Sequence, residues 1–183
     1  MKPKVFFIVA WSTELNIGAY YNSVMERLKS DEYACFLDAD AMFLSNDCGA
    51  LIEHYVGKYP ECGLFTCRTN RVNANYQVYG YWDIEDIRYH RHIAKELSRD
   101  DSIRDITNEA MLLSGVLILI RKSLWEEIGK FKPIGLKTVD NDIHLKARNC
   151  SKRVYMMNGI YVYHWYRGGV RNDEMHLFKN RLI

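Results

Sequence analysis

The 183-residue chain is long enough for one hydrophobic core, and nothing in it requires a second domain. Its 48% hydrophobic content is ordinary for a globular protein, and a formal charge of +2 offers no broad attraction for nucleic acid. Apolar runs such as Val116 to Ile120 are far shorter than the roughly twenty residues of a membrane helix, and Met1-Lys2-Pro3-Lys4 leads into a strand, which predicts a cytoplasmic protein without a membrane span.

In chain order, Lys4 to Ala10 reads as a first strand, followed by the polar loop Trp11-Ser12-Thr13-Glu14-Leu15. Tyr21, Val24, Met25 and Leu28 then recur at helical spacing, which predicts a helix from Asn16 to Lys29. Tyr33 to Leu37 is a short apolar run and a second strand. A helix over Ala50 to Tyr59 stops before Pro60, and Gly63 to Cys67 reads as a third strand. From Arg68 to Asp83 the chain turns polar, with few apolar anchors, and predicts a surface recognition loop. A helix over Ile84 to Ser98 places His90 and His92 two residues apart, off a common face, so this pair is expected in solvent.

A charged linker follows through Asp105, and the almost wholly apolar stretch Ser114 to Ile120 predicts a central strand covered on both faces. Helices over Lys122 to Ile128 and Asn141 to Asn149 flank a loop with Pro133 and Gly135. Strands over Arg153 to Met157 and Ile160 to His164 are joined by Asn158-Gly159, a strong hairpin signal. The five cysteines are odd in number and form no Cys-x-x-Cys pair, so reduced thiols are expected. The basic residues Arg148, Lys152, Arg153, Arg167, Arg171, Lys179 and Arg181 gather in the last third, facing either phosphates or solvent.

Asp38-Ala39-Asp40 closes the second strand. The two-residue period of a strand throws both carboxylates to one side of its end, a place to hold a hard cation such as magnesium or manganese. The same triplet also suits a turn or a helix cap. Beyond the carboxyl ends of strands is where α/β sheets bind ligands.

Asn16-Ile17-Gly18-Ala19-Tyr20-Tyr21-Asn22 followed by Phe36-Leu37-Asp38-Ala39-Asp40 resembles the nucleotide-sugar-dependent glycosyltransferases of GT-A type, especially the family 2-like group. Leu113 to Phe131 is similar to that family's glycine-led strand and short helix, Val139-Asp140-Asn141-Asp142-Ile143 to its Glu-Asp-x-Asp-Leu signature, and Ile160 to Arg167 to its histidine motif. Val139 stands where the family has glutamate. The strand and helix usual between the first strand and the Asn16 segment are missing, so the chain looks like a trimmed member.

The resemblance implies a single α/β, GT-A-like (Rossmann-like) domain with a mixed, mostly parallel sheet flanked by helices. Its nucleotide and metal part would span about residues 1–67, its sugar and acceptor part 68–166, and a basic tail 167–183. The implied activity is metal-dependent transfer from a nucleotide diphosphate sugar, a uridine one, to a saccharide or other hydroxyl acceptor, with inversion. Asp38, Asp40 and His164 would hold manganese or magnesium.

Asp140 would be the base, with Asp142 positioning the hydroxyl. Ala10, Trp11, Ser12, Thr13, Asn16, Gly18, Asn22, Asp38, Ala39, Ser114, Gly115, Arg167 and Arg171 would line the donor. Plainer roles stand beside these. Asp140 and Asp142 suit a helix N-terminus, Asn16 a cap, Gly18 close packing, His164 a packed core position, and the tail arginines a solvated surface. A non-catalytic nucleotide-sugar binder and a metal-dependent nucleotidyltransferase share the same strand-end carboxylates.

Overall fold

The computed structural model describes residues 3–10, 15–133 and 138–165. In chain order these form β1 (Val5–Val9), α1 (Ile17–Met25), β2 (Tyr33–Leu37), β3 (Ala41–Phe43), α2 (Cys48–Lys58), β4 (Leu64–Thr69), α3 (Ile87–Leu97), β5 (Ile103–Asp105), β6 (Leu117–Arg121), α4 (Lys122–Ile128), α5 (Val139–Asn149) and β7 (Tyr155–His164). One seven-stranded sheet runs β1-β2-β6-β4-β7-β3, with β5 also on β7. The sheet is mixed: β1, β2, β4 and β7 share one direction, whereas β3, β5 and β6 run against them.

Strand alternation explains why helices cover both faces. Ala34 and Phe36 of β2, with Ile118 and Ile120 of β6, point to one side and meet Tyr21 and Met25 of α1, Trp125 of α4 and Ile143 of α5. Cys35 and Leu37, with Leu117 and Leu119, point to the other and meet Ile52, Tyr55 and Val56 of α2. Side chains of this size each contribute roughly 1.5–3 kcal/mol when fully buried. The near-continuous apolar runs of β2 and β6 are therefore those of central strands. Ile93 and Ala94 of α3 form a smaller cluster on Tyr161 of β7. No helix among the described residues is long and apolar enough to cross a membrane.

Several sequence expectations need correction. Asn158-Gly159 does not turn a hairpin; it lies inside β7, which is one ten-residue strand. Cys67 pairs with Met157 but Arg68 pairs with Tyr161, so β7 bulges by three residues where β4 advances one. Gly159 donates its N–H to the Tyr55 hydroxyl (2.8 Å), and a Cβ there would lie 2.1 Å from the Asp100 carbonyl oxygen. Glycine serves close backbone approach here. An odd insertion also reverses which residues face which side: Met157 and Ile160 both face α2 despite their opposite parity.

The segment after β4 is a surface loop only in part: Asn73, Asn75, Tyr79, Gly80 and Tyr81 are exposed, but other residues of it turn inward. Thr69, Asn70, Arg71, Val72, Ala74 and Gln77 are all buried. Their polar groups replace backbone partners inside the fold, a use that composition does not distinguish from solvation. His90 is likewise fully buried, its Nδ1 2.8 Å from the Tyr161 hydroxyl and its Nε2 2.7 Å from the Ile84 carbonyl. The three-residue strands β3 and β5 were not expected, Ser114 and Gly115 precede β6, and α5 begins at Val139, ahead of the expected Asn141.

Candidate metal centre and neighbouring cleft

The carboxyl ends of β1, β2, β4 and β7 lie at one rim of the sheet, and the acidic triplet is sewn into it by backbone bonds. The Asp38 N–H donates to the Val116 carbonyl (3.2 Å), and the Ala41 N–H turns back to the Asp38 carbonyl (3.1 Å). Ala41 then pairs with His164 at the end of β7, and the Trp165 N–H donates to the Asp40 carbonyl (2.8 Å). The turn and the last residue of β7 are thereby fixed together. One ligand atom from each of Asp38, Asp40 and His164 lies within 4.8 Å of the others. The residues that the sequence singled out as metal ligands do converge, although His164 lies 124 positions beyond Asp40 (164 minus 40).

The partners of His164 define its chemistry. Its Nδ1 lies 2.7 Å from the Arg71 carbonyl, which can only accept, so Nδ1 carries a proton. In the neutral ring, Nε2 then presents a lone pair, and it faces Asp40 Oδ1 at 3.2 Å. Two acceptors at that distance require a proton or a cation between them. A histidine with Nδ1–H on a backbone carbonyl is also the usual support for a metal-bound imidazole. Burial opposes protonation of His164, but the hydrogen bond and charge of Asp40, the Arg71 carbonyl and Asp38 together raise its pKa. Burial pushes the Asp38 carboxyl up to about 6, with His164 opposing and the charges of Asp40 and Asp140 adding to it. Negative charge is crowded at this rim, as a cation site requires.

Asp140 stands beside the triad, in the first turn of α5. Its Oδ2 accepts the Gly115 N–H (2.9 Å) and its Oδ1 the Asn141 N–H (2.8 Å). A Cβ at Gly115 would lie 2.9 Å from the Asp140 Cβ, so glycine admits this approach. A cleft of about 270 Å³ opens here, lined by Asn73, Met111, Leu112, Ser114, Asp140 and Asn141 among others. Ser114 is held through its backbone, since its N–H donates to Gln77 Oε1 at 2.7 Å. Tyr21, stacked on Phe36 with ring centroids 4.0 Å apart, has its hydroxyl pKa raised by burial and then by the charges of Asp38 and Asp140.

Other expected site residues go elsewhere. Asp142 pairs with Lys146 (2.8 Å), one turn along α5, and does not line the cleft. Asn16 caps α1 through the Ala19 N–H (3.1 Å) and donates to the Pro133 carbonyl (2.8 Å). Asn22 accepts from Trp125 Nε1 (3.1 Å) and the Phe131 N–H (2.9 Å). A Cβ at Gly18 would lie 2.1 Å from the Lys132 carbonyl oxygen. These three therefore fasten α1 to residues 131–133, because each side-chain group, or its absence, is matched to a specific backbone neighbour. Ala10 and Ala39 sit at the rim, Ala10 donating its N–H to the Leu37 carbonyl (3.3 Å). Trp11, Ser12, Thr13, Arg167 and Arg171 lie outside the described residues. Lys152 and Arg153 pair with Glu127 (2.6 Å) and Asp105 (2.8 Å) near the start of β7, away from the rim.

In the sequence Asn70, Arg71 and Gln77 fall in the expected recognition loop and Tyr21 reads as one more apolar helix position, so their inward bonds carry no local signal. No protein-family model matches the chain, and no curated protein matches it.

Proposed function

We propose that this protein is a metal-dependent glycosyltransferase that moves a sugar from a nucleotide diphosphate sugar, with uridine as the base, to an acceptor hydroxyl with inversion. The observation that carries this most directly is the convergence of one ligand atom each from Asp38, Asp40 and His164 to within 4.8 Å, with His164 Nε2 3.2 Å from Asp40 Oδ1. A carboxylate-rich set with one imidazole suits manganese better than magnesium. Bound there, the ion would supply Lewis-acid neutralisation of the departing diphosphate.

The residues of the chain divide the remaining work. Asp38 and Asp40 crowd negative charge where a cation is to be held, and His164 is kept in the ligating tautomer by the Arg71 carbonyl. Asp140 is oriented by two backbone N–H groups and lines the cleft. There it would accept the proton of the acceptor hydroxyl as that oxygen bonds to the sugar carbon and the bond from that carbon to diphosphate breaks. Lys146 ties Asp142 to its own helix, which leaves Asp140 as the base.

Thermal denaturation with manganese and a panel of nucleotide sugars tests the assignment. A rise in Tm is expected with manganese and one uridine diphosphate sugar together, and it disappears in Asp40→Ala. Products separate the alternatives. A glycosyltransferase releases nucleoside diphosphate when an acceptor is present, a nucleotidyltransferase releases pyrophosphate or nucleoside monophosphate, and a binder releases nothing.

A further inference from the structure

We infer that Asn70 and Gln77 are positioning residues of one brace, residues 69–79, which sets the metal ligand His164 with one end and the carboxylate of Asp140 with the other. The inference rests on the metal reading above and adds to it the residues that hold the site in shape.

Both amides are fully buried, where an unmatched polar group costs about 1–3 kcal/mol. Each side-chain oxygen and nitrogen of the two amides has a partner. Asn70 Oδ1 accepts the His164 N–H (2.7 Å) and its Nδ2 donates to the His164 carbonyl (3.2 Å). The side chain thus acts as a strand neighbour for one residue of β7, and Ala41 of β3 pairs with that same residue. The next carbonyl, that of Arg71, takes the His164 Nδ1 proton. Backbone and ring of the ligand are therefore both fixed from residues 70 and 71.

Seven positions on, Gln77 Oε1 accepts the Ser114 N–H (2.7 Å), while its Nε2 donates to Thr66 Oγ1 (3.0 Å) and the Cys67 carbonyl (3.2 Å). Ser114 precedes Gly115, whose N–H holds Asp140 Oδ2. The two ends are joined by a closed backbone path: the Tyr79 N–H donates to the Thr69 carbonyl (2.9 Å), Val78 bridges Thr69, and Asn75–Gln77 form a 3-10 turn. A leucine or methionine would fill either space without these bonds. Two amides whose bonds reach His164 and the residue before Gly115 make the segment a brace between the halves of the site.

Two readouts that need no substrate test the division of labour. Manganese uptake by the ligand-free protein is followed by electron paramagnetic resonance, and the Gly115 amide by its 1H–15N cross-peak and exchange protection. Asn70→Ala is expected to weaken manganese binding by about tenfold or more, as loss of a ligand's support typically does, and to leave the Gly115 amide unmoved. Gln77→Met is expected to shift and deprotect that amide and to keep manganese affinity within about twofold of wild type. Thr107→Val, a comparably buried hydroxyl bonded to the Val154 N–H (2.8 Å), is expected to lower Tm and move neither readout.

Asn70→Ser serves where Asn70→Ala does not fold, with circular dichroism as the check. Wild-type manganese affinity in a folded Asn70 variant, or equal changes in both readouts from every variant, would overturn the brace alone. A wild-type chain that takes up no manganese would overturn the metal assignment and the brace together.

Discussion

His90 and His164 are both buried histidines on the β7 side of the sheet, yet they are built for different work. Around His90, and around His144 across the molecule, each ring nitrogen meets a protein group of opposite character. His90 lies between the Tyr161 hydroxyl and the Ile84 carbonyl, and His144 between the Leu113 N–H (3.0 Å) and the Thr107 carbonyl (3.0 Å). Burial lowers the pKa of both, and neutral rings satisfy every bond. At the rim, His164 Nε2 instead faces the Asp40 carboxylate at 3.2 Å, where a proton or a cation is needed between them, and its pKa rises. Burial alone does not mark a functional histidine. The character of its two partners does.

The sharpest way to break this contrast is at the rim. Asp40→Ala is expected to abolish measurable manganese binding in isothermal titration while the fold persists, because it removes one of three ligands and a source of charge. Retained binding would place the cation elsewhere. His144→Ala should do the reverse. It strands the Leu113 N–H and Thr107 carbonyl beside a new cavity, costing about 2–4 kcal/mol in urea denaturation while leaving manganese affinity unchanged. His90→Phe keeps an aromatic ring and strands the Ile84 carbonyl and the Tyr161 hydroxyl, for a loss of about 1–3 kcal/mol.

The pH dependence sharpens the comparison with smaller effects. His90 and His144 are neutral in the fold, so below about pH 6.5 the unfolded chain takes up protons that the folded chain does not, and stability falls with falling pH. His164 and Asp38 have the opposite sign. The fold holds their protons more tightly than the unfolded chain does, so their contribution is present at low pH and lost as pH rises through their raised values. Urea midpoints measured from pH 5 to 8 should therefore rise more steeply with pH in His164→Gln than in wild type. Manganese affinity in the wild type should be highest at alkaline pH, decline as His164 gains its proton, and decline further as Asp38 follows at about 6. Affinity that does not change between pH 8 and 5 would remove these two residues from the ligand set.

Much of the framework was legible in the sequence. Unbroken apolar runs announced β2 and β6, helical spacing announced α1, and two carboxylates at the end of a strand announced the rim. The misreadings share one cause, that local rules describe a residue's preference and not its partner. Asn158-Gly159 has hairpin chemistry, but Tyr55 and the Asp100 carbonyl close over it and hold it within a continuous strand. The residues from 68 to 83 have loop composition, but Asn70 and Gln77 find backbone groups distant in sequence and turn inward. The His90 ring lies on the buried face of its helix because Tyr161 of β7 offers it a hydroxyl.

By itself, the order of residues determined the class of fold, the central strands and the identity of the acidic groups, since periodicity and apolar content act over a few neighbouring positions. The resemblance grouped His164 with Asp40, but only the tertiary structure brings the two within 3.2 Å. That meeting depends on the three-residue bulge in β7, which reverses its faces, and on Ala41 pairing across a turn. Such contacts join residues far apart in the chain, and their energy exists only once the sheet has assembled.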